Sequence, residues 1–147
     1  MTSPRYSDVE EAWSRFLGGQ AREALRFLSD VAATPAHGHA FDRRLAAIEA
    51  LAGIGESLCE PDRMRLAPAP TESAALAEIA VPALAGALAD RDGRIRHRAC
   101  AALRRIGPPA IGAVAALERL RQDADPLLRQ LAGRALAVIQ ARSHRDA

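Results

Sequence analysis

A constant offset of 33 residues lays the stretch 81–140 onto itself. Val81 falls on Val114, Leu84 on Leu117, Asp90 on Asp123 and Asp92 on Asp125. The register continues with Ile95 on Leu128, Arg96 on Arg129, Ala99 on Ala132, Ala102-Leu103 on Ala135-Leu136, and Ile106 on Ile139. No gap is needed. A tandem repeat of this period is one supersecondary unit that cannot bury its apolar face alone, so it constrains the architecture before any local reading does.

Each unit reads as helix, short turn, helix. The first helix carries Leu84 and Leu88 in one copy, and Val114, Leu117 and Leu120 in the other. Asp90-Arg91-Asp92-Gly93 and Asp123-Ala124-Asp125-Pro126 form the turns. An aspartate there suits an N-cap, where a short carboxylate accepts orphan backbone N–H groups. The second helix then gathers Ile95, Ala99, Ala102, Leu103 and Ile106 on one face, and its counterpart does the same with Leu128, Ala132, Ala135, Leu136 and Ile139. Gly107 followed by Pro108-Pro109 ends one helix and begins the next.

The run Asp-x-Asp-x-x-Ile-Arg-x-Arg-Ala-Cys-x-Ala-Leu-x-x-Ile-Gly, from Asp90 to Gly107, resembles a HEAT repeat of the phycobilisome-lyase-like type. Asp123-Ala-Asp-Pro-Leu-Leu-Arg129 resembles it again at the next turn. The resemblance implies an all-α, right-handed α-solenoid of about three helical hairpins. It also implies a ladder between adjacent repeats, formed by Asp92 with Arg96 and Asp125 with Arg129. Such repeats serve mainly as binding scaffolds. Bilin lyases that contain them are longer chains, and a lyase-like accessory subunit stays as an alternative. HEAT-type di-iron hydroxylases carry His-Glu pairs, which this sequence lacks.

Upstream, Ala50-Leu51-x-x-Ile54-Gly55 matches Ala102-Leu103-x-x-Ile106-Gly107 at an offset of 52, with Arg43 where Ile95 would be. The chain of 147 residues therefore reads as one domain: an N-terminal helical cap (1–35), a degenerate repeat (36–55), a loop insertion (56–71), two repeats (72–107 and 108–140) and a tail (141–147). In the cap, Ser7 and Glu10 have capping-box spacing, Val9, Trp13, Phe16 and Leu17 are the apolar residues, and Gly18-Gly19 ends the helix. A second cap helix runs over residues 20–33. Pro61, Pro68 and Pro70 mark the insertion, which is either a partner contact or tolerated length. Thr71 caps the following helix, and Pro82 inside it predicts a kink near Val81.

Composition narrows the function classes. No apolar run reaches the roughly 20 residues of a membrane helix, and residues 1–8 lack the apolar segment of a secretory signal. Two cysteines, Cys59 and Cys100, make no disulfide framework, so a reduced cytoplasmic setting is expected. Cys100 stands at a small apolar position of the repeat helix, and Glu60 beside Cys59 disfavours a thiolate there. Neither is assigned a catalytic role. His37-Gly-His39 with Asp42 is the one cluster of metal-ligand residue types, too small for a zinc site, so no metal, cofactor or catalytic residue is assigned.

Charge placement is the informative feature. All 20 basic side chains are arginine. Residues 1–80 balance to −4 and residues 81–147 to +6. Arg94, Arg98 and Arg105 project within about 40° of one another on the second helix of the middle repeat, with His97 and Arg104 further round and Arg134 flanking. The resemblance places second helices on the concave side. These six residues are thus the expected contact surface of a non-catalytic scaffold, its partner an acidic protein. Nucleic-acid binding through phosphate contacts is the alternative, although an aromatic content of 3% leaves few stacking platforms. In the last repeat Leu127, Leu131 and Val138 widen the apolar arc. They either pack on the preceding repeat or meet another chain, such as a second copy.

Overall fold

Short carboxylates at the two turns accept the backbone N–H groups that open the helices after them. Asp92 Oδ1 accepts the backbone N–H of Arg94 at 2.9 Å, and Asp125 Oδ1 accepts that of Leu127 at 2.8 Å. Two residues earlier, Asp90 accepts the N–H of Asp92 at 2.8 Å and Asp123 that of Asp125 at 2.9 Å. The offset of 33 read in the sequence thus recurs atom for atom in the turns.

The computed structural model describes residues 7–17, 19–34, 39–59 and 74–141, and among them there is no strand. Helix α1 is Ser7–Leu17, α2 is Ala21–Ala33 and α3 is His39–Cys59. A π-helical turn, Leu76–Ala80, leads into α4, Val81–Ala87. Helix α5 is Gly93–Ile106, a 3-10 turn spans Pro108–Ala113, and α6 (Val114–Leu120) and α7 (Pro126–Ala141) complete the order.

Terminators act where their chemistry requires. Gly19, at φ +88°, closes α1: its N–H donates to Phe16 O at 3.1 Å and that of Gln20 to Arg15 O at 2.9 Å. Gly107, at φ +74°, ends α5 with its N–H on Leu103 O at 3.0 Å. The break expected at Pro82 takes the form of the π turn. Proline supplies no N–H and crowds the carbonyl four residues back, and the wider turn before Val81 absorbs both defects.

The helices pack in two rows. Helices α3, α5 and α7 stand side by side, while α2, the 76–87 segment and the 108–120 segment form the second row against them. Helix α1 packs mainly on α2 and touches α3, with Trp13 and Phe16 half-buried against the core. Aliphatic side chains fill the interior: Leu25, Leu28, Ile48, Leu51, Ile54, Leu84, Ile95, Leu103, Ile106, Leu117 and Leu128 are fully buried. Ala99, Ala132 and Ala135 are sealed as well, which lets neighbouring helices approach closely. At Gly55 the approach is close, since a Cβ there would overlap Cγ1 of Ile106 on α5 and lie 3.3 Å from its Cα.

One boundary differs from expectation. The sequence reading ends the upstream helix at Gly55 and starts a loop at Glu56, whereas α3 runs on to Cys59. Gly107 is followed by two prolines; Gly55 is followed by Glu56-Ser57-Leu58, which continue a helix readily. The rest of the expected insertion, the Thr71 cap, His37 and the tail from Arg142 lie outside the described residues, as do the side chains of Ser7, Leu17, His39 and Cys59.

Candidate functional site

Three arginines hold one position in successive second helices. On α3, Arg44 Nε donates to Ala32 O at 2.6 Å and Nη1 to Asp90 Oδ2 at 2.6 Å. On α5, Arg96 Nη1 donates to Asp90 O at 2.8 Å and Arg91 O at 3.1 Å, while its Nε lies 3.5 Å from Asp123 Oδ2. On α7, Arg129 Nη1 donates to Asp123 O at 2.7 Å and Ala124 O at 3.1 Å. Arg96 and Arg129 therefore hold the turn just before their own helices, Arg44 holds the last turn of α2, and Arg44 and Arg96 also reach the carboxylate of the next turn.

This corrects the expected ladder. Asp92 with Arg96 and Asp125 with Arg129 were the pairs implied by resemblance, but the carboxylates that face the preceding arginines are Asp90 and Asp123. An N-cap carboxylate turns towards its own helix, so Asp92 and Asp125 are oriented away from that role. Asp92 instead binds Arg94 at 3.2 Å to Nε and 3.0 Å to Nη2. Asp125 Oδ2 lies 3.0 Å from His97 Nε2. Sequence reasoning missed Arg44. The signal was present, because the offset of 52 lays Arg44 on Arg96. Its neighbour Arg43, at the degenerate apolar position, pairs with Asp8 of α1 and lies 5.8 Å from the Phe27 ring centroid.

The expected contact surface is also more balanced than a bare arginine groove. Arg98 pairs with Glu49 of α3; Arg105 pairs with Glu56 at 2.5 Å and Glu49 at 3.5 Å. Arg94 is held by Asp92 and lies 4.3 Å over the Phe41 ring, a cation–π contact. His97 is engaged by Asp125. Arg104 and Arg134 are exposed and make no ion pair among the described residues. Four of the six expected contacts are thus already engaged within the chain, and two are open. The side chains of Arg98, Arg105, Glu49 and Glu56 are 40–56% exposed. Such pairs are worth about 0–1 kcal/mol each, so they exchange readily with an incoming charge.

Local fields follow these contacts. The side-chain hydrogen bonds from Arg94 hold Asp92 below the ordinary carboxylate value and raise Arg94 itself. His97, and then the backbone N–H of Leu127, hold Asp125 low. Burial pushes the Cys100 thiol up to about 11 against the pull of Arg104, so it is a protonated, inert thiol at neutral pH.

Leu127 and Val138 are exposed at 51% and 40%, while Leu131 is half-buried against the core. Ile111, unremarked in the sequence, is 53% exposed on the 3-10 turn. Among the described residues no group of three or more His, Cys, Asp or Glu is placed to hold a metal ion, and no helix is long and apolar enough to cross a membrane. Comparison with protein-family models, with curated proteins and with solved structures finds no match to this chain.

Proposed function

We propose that the chain is a right-handed solenoid of HEAT-like hairpins behind an N-terminal helical cap, and that it acts in the cytoplasm as a non-catalytic interaction module. Its ligand is an acidic protein segment lying along the second-helix row, with Arg94, His97, Arg98, Arg104, Arg105 and Arg134 as the contacts. One observation supports this most: Arg98 and Arg105 pair with half-exposed glutamates, beside an exposed Arg104 that makes no ion pair among the described residues. Incoming carboxylates displace Glu49 and Glu56 at little cost, because an exposed pair gains little from staying closed.

The reading makes two opposite demands. With a fluorescein-labelled oligo-glutamate peptide as probe, Arg104→Glu with Arg134→Glu weakens binding, whereas Glu49→Gln with Glu56→Gln strengthens it. Anisotropy titration at two salt concentrations measures both. Unchanged affinity in both variants overturns the proposal. Tighter, steeply salt-dependent binding of a duplex DNA probe replaces it with a phosphate-binding function.

A further inference from the structure

Among the described residues, the third ladder arginine meets no carboxylate. Arg44 and Arg96 each extend to the first aspartate of the following turn, and their side chains are 6% and 21% exposed. Arg129 makes the same two bonds to its own turn as Arg96 does, is exposed, and makes no ion pair among the described residues. The neighbouring positions of the two helices differ in the same sense. On α5, His97 contacts Asp125, a Cβ on Gly107 would sit 3.9 Å from Val138, and Cys100 between them is 1% exposed. One repeat later these positions are Gln130, Gln140 and Gly133. Both glutamines are exposed, and a Cβ on Gly133 would meet nothing within 4 Å.

We infer that the open face of α7 is a docking surface for one more helical hairpin, presented by a partner protein, whose turn carries an aspartate where Asp90 and Asp123 stand in this chain. The chain itself displays that occupant twice: Asp90 on Arg44 and Asp123 on Arg96. Arg129 supplies the charge that selects it. Gly133, where a Cβ would meet nothing within 4 Å, leaves room between the exposed Gln130 and Ala137 for a closely packed helix, as Gly55 does between α3 and α5. This inference rests on the stacked-hairpin reading above but not on the arginine strip, which its test leaves untouched.

The test builds the occupant onto the whole chain. A copy of residues 107–139 is inserted after Ile139, starting at Gly107 because that site needs its positive φ. If the face fits such a hairpin, the extended protein melts at least about 2–4 °C higher, and the added amides are protected from hydrogen exchange. Replacing the added copy of Asp123 by Ala, or making Arg129→Ala in the original copy, removes much of that rise. Arg129→Ala in the unextended chain leaves the melting point in place. An added segment that exchanges like unfolded chain, or a rise indifferent to both substitutions, overturns the inference. Sedimentation equilibrium of the unextended chain is expected to give a monomer; a dimer dissociated by Arg129→Glu puts a second copy on the face and overturns it equally.

Discussion

The seam between α3 and α5 and the seam between α5 and α7 have the same arginine-to-aspartate chemistry and different depth. In the first, Arg44 is 6% exposed and bonds Asp90 directly at 2.6 Å. Gly55 brings the two backbones together where any Cβ would collide with Ile106. In the second, Arg96 is 21% exposed and its Nε stands 3.5 Å from Asp123. There Gly107 leaves room, with Val138 at ordinary contact distance. A repeated sequence therefore does not deliver repeated energetics. What decides the strength of the pair is how tightly the next helix covers it, and the two glycines set that cover differently.

Removing the two carboxylates in turn separates the seams most strongly. Asp90→Ala strands a buried guanidinium and destabilises by about 3–5 kcal/mol. Asp123→Ala leaves a partly solvated one and costs about 1–2 kcal/mol. Urea denaturation of the two variants measures the gap, and equal losses would erase the distinction between the seams. Next comes Gly55→Ala, which forces α3 and α5 apart for about 1–3 kcal/mol. Gly133→Ala, facing open space, gains up to about 1 kcal/mol from helix propensity alone. Thermal melts of that pair should move in opposite directions.

Acid sensitivity is a smaller effect with a definite sign. Arg94 holds Asp92, and His97 holds Asp125, below the ordinary value of 3.8. A folded-state pKa below the unfolded one contributes stability that is full above the unfolded value and is lost as the pH falls through the folded value. Stability followed downward from about pH 5 should therefore decline below 3.8, and Asp125→Asn, which keeps a capping acceptor, should flatten part of the slope. Smallest of all is Arg129→Ala, expected to shift unfolding by no more than about 0.5 kcal/mol, since the exposed Arg129 makes no ion pair among the described residues.

How much of this was legible beforehand differs by kind of interaction. Capping by Asp92 and Asp125, the apolar faces of α5 and α7, and the stop at Gly107 are local, encoded within a few residues, and readable from spacing. The ladder is lateral. Whether Arg96 meets Asp92 or Asp123 depends on the rotation of one hairpin against the next, which periodicity does not specify. The same limit hid the Glu49 and Glu56 partners of Arg98 and Arg105, because they sit on α3, beyond an insertion that breaks the offset. Arg44 shares the offset of 52 with Arg96, but the charged Arg43 in the apolar position beside it masks the match.

Each ladder arginine that also reaches a carboxylate does two jobs with one side chain, holding backbone carbonyls before its own helix while gripping the neighbour that follows. The arrangement has a polarity. Losing the last hairpin leaves Arg96 with both carbonyl bonds and access to water, whereas losing the first strips Asp90 of its covered partner. Fraying therefore starts more easily at the C-terminal end and travels backwards, and a ligand that sits on that end would act as a latch for the whole row.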